Sequence, residues 1–141
     1  YRVDIFLSIK FYADQRNRAW VEAFTAALAK HGLKVQCVVR DIENWGMVSL
    51  SAAELMRQTF DLLERCSLVV VNLSDKGVGL GIEAGYAYAH NIPVMAAVPQ
   101  EADLSTTLSG ISRWTIRYAG MEDLTRQILN AVDELALQEV Q

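Results

Sequence analysis

Two prolines, two histidines and two cysteines are few for 141 residues, and each scarcity removes a class of protein. With so little proline, no Pro-rich linker or low-complexity architecture is available. His31 and His90 have no ligand-type partner at metal spacing, so no metal centre is expected. Both fall near the C-terminal ends of helical segments, where a structural role beside the carbonyl ends suffices. Cys37 and Cys66 sit in or beside apolar runs, in neither a CxxC nor a Cys/His array. They read as buried free thiols of a reducing compartment rather than as disulfide or metal ligands. No apolar run approaches the ~20 residues of a membrane helix, and no segment has the form of a signal peptide. The cytoplasm is the expected location, with no membrane partner. Tyr1 rather than Met opens the sequence, so a few native residues are expected before it. Basic charge is short as well. A formal net charge of -4 argues against a nucleic-acid partner, which needs a basic face.

What is present is core-forming material. Hydrophobic residues make up 52% and charged residues 21%, the balance of one globular domain covering residues 1–141. A chain of this length buries roughly 68% of its unfolded surface, enough for a core without staples. Apolar runs alternate with segments of helical period, the rhythm of a βαβ protein. Strands are expected at Arg2–Ile9, Leu33–Val39, Leu68–Leu73, Pro93–Val98 and Trp114–Tyr118. The first helix carries Trp20, Phe24, Ala27, Leu28 and His31 at helical spacing and ends at Gly32. Residues 40–50 read as irregular. Ser51-Ala52-Ala53-Glu54 is a capping box opening a second helix with Leu55, Met56, Phe60 and Leu63 on its stripe. A further helix is expected from about Ile82 to His90, and a final one buries Leu124, Ile128, Val132 and Leu135. The fold class is therefore α/β: one doubly wound, flavodoxin-like or Rossmann-like domain of about five parallel strands flanked by helices. Ligands of such sheets bind beyond the C-terminal strand ends, after Ile9, Val39, Leu73 and Val98.

The segment Ser74-Asp75-Lys76-Gly77-Val78-Gly79-Leu80-Gly81-Ile82-Glu83-Ala84-Gly85-Tyr86 carries the most information. Read as a glycine loop after the central strand, it allows a bulky ligand to approach the backbone. Gly79-x-Gly81-x-x-Ala84, with Glu101 further on, also satisfies a relaxed dinucleotide fingerprint. That fingerprint belongs after the first strand, however, and Glu83 would set a carboxylate where the pyrophosphate must lie. As a first-turn residue Glu83 has a simple role with the helix dipole, worth roughly 0.3–1 kcal/mol. Against an apolar strand end, it is also suited to attack at a sugar carbon.

Gly77 to Ala87 resembles the glycine loop and catalytic helix of nucleoside 2-deoxyribosyltransferases. Ile5-Phe6-Leu7-Ser8, followed by Phe11-Tyr12-Ala13-Asp14-Gln15-Arg16-Asn17, is similar to their first strand and helix start. The likeness extends to Pro99 and over Leu108–Ile116. It implies cleavage or transfer of the N-glycosidic bond of a nucleoside or nucleotide, with Glu83 the nucleophile, no cofactor and ping-pong kinetics. The family's leaving-base aspartate is matched by Thr59, with Asp61 two residues on. A loop-start Asp or Ser is matched by Gly77, and a first-strand tyrosine by Phe6. In the related deoxynucleotide N-hydrolases, the first strand runs into a sequence similar to Ser8-Ile9-Lys10. Lys10 would then meet a 5′-phosphate; a solvated surface lysine is the equal alternative. Ser105 matches a residue lent to a neighbouring subunit's site, which implies a homodimer or higher homo-oligomer.

Asp41, Glu43, Asn44 and Trp45 follow the second strand, where this family recognises the base. A ring beside amide and carboxyl groups suits a heterocycle, and a polar loop with Trp45 covering the core edge is the other reading. Asn17 is expected as a helix cap, while Asp14 stays a substrate-site candidate beside Gly79 and Gly81. Tyr86 and Tyr88 point different ways on one helix, so at most one can face a ligand. Two other functions remain open: a catalytically silent nucleotide-binding module, and a dinucleotide-binding redox domain.

Overall fold

Leu68–Asn72 (LVVVN) is buried at all five positions, as a strand with neighbours on both edges and helices on both faces must be. It is the third strand, β3, of the computed structural model, which describes residues 3–140. On one side it pairs with β1 (Asp4–Ser8), and β1 with β2 (Lys34–Gln36). On the other it pairs with β4 (Val94–Pro99), and β4 with β5 (Trp114–Tyr118). Every pairing is parallel, and the order is β2-β1-β3-β4-β5. The order reverses between β1 and β3, which makes their C-terminal ends the switch point of the sheet.

Period-two alternation sorts the strand side chains into two cores. Ile5, Leu7, Leu68, Val70 and Met95 face α1 (Arg18–Ala29) and α6 (Met121–Val140). Phe6, Val69, Val71, Ala96 and Val98 face α3 (Ala52–Glu64), α4 (Val78–Ala89) and α5 (Thr106–Ile111). α2 (Val38–Asp41) and a 3₁₀ turn (Asn44–Gly46) lie between β2 and α3. The expected doubly wound sheet of five parallel strands is what forms.

Several boundaries differ from expectation. Arg2, at the start of the expected first strand, lies outside the described residues. β2 ends at Gln36 because the chain turns into α2 instead of continuing to Val39. Side-chain hydrogen bonds to nearby backbone impose that turn: Asp41 Oδ2 accepts from the Cys37 N–H (2.8 Å), and Arg40 donates to the Val35 carbonyl (2.6 Å). α4 begins at Val78, four residues before the expected Ile82, so the glycine segment is helix rather than loop. Ser51 caps α3 by accepting from the Glu54 N–H (3.2 Å), but Glu54 turns to Arg57 and Gln58 instead of completing the box. α3 buries Thr59, Leu62 and Leu63, with Leu55, Met56 and Phe60 half-buried. Asn17 makes no side-chain cap; its amide donates to the Lys10 carbonyl (2.8 Å). Cys37 and Cys66 are buried and free, and burial pushes their thiols up to about 11 and about 12.

Two glycines test how the helices are built. Gly32, just past α1, has φ +77°, where a Cβ is strained, so Gly32→Ala should destabilise by about 1 kcal/mol. Gly85 lies inside α4 with nothing within 4 Å of an added Cβ, so Gly85→Ala should stabilise by roughly 0.5–1 kcal/mol. Urea unfolding of both variants should show these opposite signs.

Candidate active site

Ser8 closes β1 on the same face as Phe6, two residues earlier, so its side chain turns toward α3 and α4. Its hydroxyl is fully buried and donates a 2.6 Å hydrogen bond to Oε1 of Glu83. Glu83 stands in the second turn of α4. Leu80, Ala84 and Ala87 fix that helix on the sheet. A step of roughly 100° per residue turns Glu83 away from Ala84, and its bond to Ser8 places it on the β1 side. It is the only ionisable carboxyl on a helix of otherwise apolar and small residues.

The surroundings set its proton affinity. Burial raises the Glu83 carboxyl to about 7; the Ser8 hydrogen bond opposes the rise and the nearby charge of Glu43 adds to it. Side chains of a helix lean toward its N-terminus, so the residue overlying Glu83 is Gly79, one turn earlier. An added Cβ at Gly79 meets nothing within 4 Å, and the approach to the carboxylate is open there. None of Gly77, Gly79 and Gly81 has a positive φ. Their value is missing side chains, not backbone freedom. The dinucleotide fingerprint likewise lies within helical backbone and not in a strand-to-helix turn.

The other sequence candidates separate into groups. Lys10 is half-buried after β1; its stem passes 3.8 Å from where a Gly77 Cβ would stand, and its Nζ lies 5.4 Å from the Tyr12 ring centroid. Gly77 precedes α4 in extended backbone. Phe6 is fully buried in the α3–α4 core and offers no polar atom. Trp45 is 7% exposed, packed with the α1–α6 core beneath the Arg18 guanidinium, so its ring covers the core edge. Asn44, in left-handed backbone, is exposed beside it. Asp14 pairs with Arg16 (2.9 Å) and Asp41 with Arg40 (2.8 Å). Thr59 is buried, its hydroxyl donating to the Leu55 carbonyl (2.8 Å), while exposed Asp61 pairs with Arg57 (3.1 Å). Tyr86 stacks between Phe60 and His90 and donates to Glu64, whereas Tyr88 is exposed.

On the far side of α4 a cleft of about 380 Å³ runs toward α5, walled by Gly77, Gly81, Ala84, Ser105, Leu108 and Ile111. Ser105 caps α5, accepting from the Leu108 N–H (3.3 Å). This cleft is lined by no carboxylate, so the Glu83 carboxyl and this space lie on different sides of the helix. Among the described residues no His, Cys, Asp or Glu cluster could hold a metal ion.

One contact and one longer-range charge effect at the switch point were not anticipated from the sequence. The Tyr12 hydroxyl donates to Asp75, joining the loop after β1 to the loop after β3. Glu43 acts electrostatically on Glu83 from the loop after β2. Both require knowing which strands are neighbours.

Glu83 also links stability to pH. Its folded value of about 7 lies above the ordinary 4.5, so between these limits the folded state holds a proton the unfolded state has lost. Its contribution should fall as pH rises from about 4.5 to about 7, on the order of 3 kcal/mol in total. Urea unfolding at pH 5 and pH 8 checks this: wild type should weaken relative to Glu83→Gln at the higher pH.

The sequence profile of the family described as nucleoside 2-deoxyribosyltransferase matches residues 5–131. No curated protein sequence matches. Among solved structures, a conserved protein of Enterococcus faecalis V583 superposes with a TM-score of 0.74 at 17% identity, covering 93% of this chain and 99% of that one. A Bacillus psychrosaccharolyticus 2-deoxyribosyltransferase gives 0.67 at 13% identity, covering 87% and 90%. The Clostridium botulinum CMP N-glycosidase BcmB gives 0.63 at 17% identity, covering 89% and 97%. At these identities the superpositions establish the shared fold; the profile, spanning β1 to α6, establishes that this chain belongs to the nucleoside 2-deoxyribosyltransferase family.

Proposed function

We propose that this protein cleaves or transfers the N-glycosidic bond of a (deoxy)nucleoside or its 5′-monophosphate, with Glu83 as nucleophile. The observation that carries this reading is the Ser8–Glu83 hydrogen bond, which holds one carboxylate oxygen at the sheet's switch point. Ser8 engages Oε1, leaving Oε2 for attack on the anomeric carbon. The C1′–N bond then breaks and the base leaves with its electron pair. The resulting deoxyribosyl ester on Glu83 is released by water or captured by a second base, splitting one difficult displacement into two easier ones. A carboxyl poised at about 7 is a stronger nucleophile than an ordinary one and is half-ionised at neutral pH.

A 5′-phosphate fits the N-terminal end of α4. Val78 to Glu83 spans about 7.5 Å of helical rise, the scale of a deoxyribose between its anomeric carbon and its 5′ substituent. Free N–H groups and Lys10 supply positive potential there. CMP is the substrate named for one structural neighbour and deoxyribosyl transfer the activity named for another. A silent binding module is the second reading, favoured by Thr59, whose hydroxyl is occupied by its own helix.

The test is base release from deoxynucleosides and their 5′-monophosphates, with and without an acceptor base. Glu83→Ala should lower turnover by at least ~10³-fold, and mass spectrometry of wild type should show a deoxyribosyl adduct. Ser8→Ala should move the acid limb of the pH–rate profile to higher pH, because the bond it removes favours the ionised carboxylate. Lys10→Ala should raise KM about tenfold for monophosphates, as loss of a charged hydrogen bond does, and leave nucleosides unchanged. Ligand-induced stabilisation without turnover of any panel member would identify the silent module.

A further inference from the structure

Apart from Glu83, α4 carries no charge on any side. Leu80, Ala84 and Ala87 face the sheet, and Glu83 turns to Ser8. The outer face carries Val78, Gly81, Ile82, Gly85, Tyr88 and Ala89, all of them exposed. Val78 is 82%, Ile82 45% and Tyr88 58% open to solvent. The solvent faces of α1, α3 and α6 instead carry ion pairs such as Arg18–Glu22, Arg57–Glu54 and Arg126–Asp123. A helix that is hydrophobic all round belongs in an interior, so the outer face of α4 calls for a cover.

The face is complementary to itself. At about 100° per residue, Val78, Ile82, Gly85 and Ala89 fall within about 60° of one another. Gly81 and Tyr88 form the border toward α5. A two-fold axis across the midpoint of α4 runs a second copy of the helix antiparallel to the first. It brings Val78 level with Ala89 of the copy and Ile82 level with its Gly85, so each large side chain meets a small one. The same axis puts Tyr88 of the copy level with Gly79, between Gly77 and Gly81, at the cleft of about 380 Å³. Leu73, Leu80, Leu108 and Ile111 give that cleft apolar walls, and Ser105 and Thr107 add hydroxyls. A tyrosine suits this lining, being apolar along its ring and polar at its tip. The arrangement also sets the positive N-terminal end of each α4, with Lys76 before it, beside the negative C-terminal end of the other.

We propose that α4 is the centre of a two-fold interface between two copies of this chain, each seating Tyr88 in the α4–α5 cleft of the other. Val78, Ile82 and Tyr88 are the projections, and Ala89, Gly85 and the cleft receive them, all on one chain. That is the pattern an isologous contact requires, and it favours a second copy over an unlike partner. Gly81 and Gly85 let the second helix approach closely. Glu83 lies away from this face, toward β1, so the inference stands whether or not Glu83 is a nucleophile.

The experiment is light scattering after size exclusion, over a dilution series of the full chain. Wild type should run at twice the 15.7 kDa chain mass. Ile82→Glu sets a charge against the copy and should weaken the dimer by roughly 10²–10³-fold. Tyr88→Ala should weaken it at least ~10-fold, as loss of an aromatic anchor does. Gly81→Leu should act the same way, since its own chain leaves room for the side chain but the cleft is then occupied. Leu137→Glu, at an exposed leucine of α6, should leave the mass unchanged. In Val78→Cys/Ala89→Cys, mild oxidation should link two chains, because the positions stand about 16 Å apart along one helix and cannot bridge within it. A monomeric wild type leaves this face to a different partner and overturns the proposal. So does a dimer untouched by Ile82→Glu and unlinked by oxidation, which sets the contact elsewhere. A dimer broken by Ile82→Glu but indifferent to Tyr88→Ala and Gly81→Leu overturns the seating of Tyr88.

Discussion

A carboxylate half-buried against apolar strand ends is unfavourable unless hydrogen-bonded, and at Glu83 one buried hydroxyl supplies that bond. The rest of the site depends on placing Ser8 correctly. Ser8 reaches α4 only because Ile5 and Leu7 occupy one core while Phe6 occupies the other. A slip of one residue in β1 would reverse every side chain and present an aliphatic group to Glu83. The apolar alternation of β1 is therefore also the device that positions a hydroxyl donor. Core packing and the hydrogen bond to the Glu83 carboxylate are set by the same register.

α4 shows a conflict between stability and access. Gly79, Gly81 and Gly85 each weaken a helix by roughly 0.5–1 kcal/mol relative to alanine. Such a helix persists through tertiary packing rather than propensity, and here Leu80, Ala84 and Ala87 supply that packing against the sheet. What the glycines provide is space. Gly79 leaves the face over Glu83 bare, and Gly81 forms part of the wall of the cleft toward α5. Local rules broken without a local gain are expected at functional sites, and this helix concentrates them.

Sequence reasoning reached the elements whose signals are local. β3 was legible as an unbroken apolar run, β5 over its full span, and α1 and α6 by their helical stripes. β2 was overextended because Val38 and Val39 continue an apolar run; the bonds that turn them into α2 involve Arg40 reaching back to Val35 and Thr25. The start of α4 was hidden by glycines, which usually mark loops but here sit in helical backbone. Glu83 stood out as a carboxylate set among glycines just after the central strand. Its relation to Ser8, 75 residues away, and to Glu43 depends on the order β2-β1-β3, which no local pattern encodes.

The position matched to the family's first-strand tyrosine shows how such a site tolerates an apparent loss. Phe6 has no donor and is sealed in the core, so nothing at that position can orient a nucleophile. In a β-strand, residues two apart share a face, and the next position facing α4 is Ser8. The hydroxyl there is shorter than a tyrosine's and lies nearer the strand end, where Glu83 stands within 2.6 Å. A donor on that face thus stands one pleat along the strand from Phe6, with the core residue behind it free to be apolar. Substitution at a single matched position is for this reason weak evidence against the proposed chemistry: what that chemistry asks for is a donor on that face at that end of the sheet, and the Ser8 hydroxyl is one.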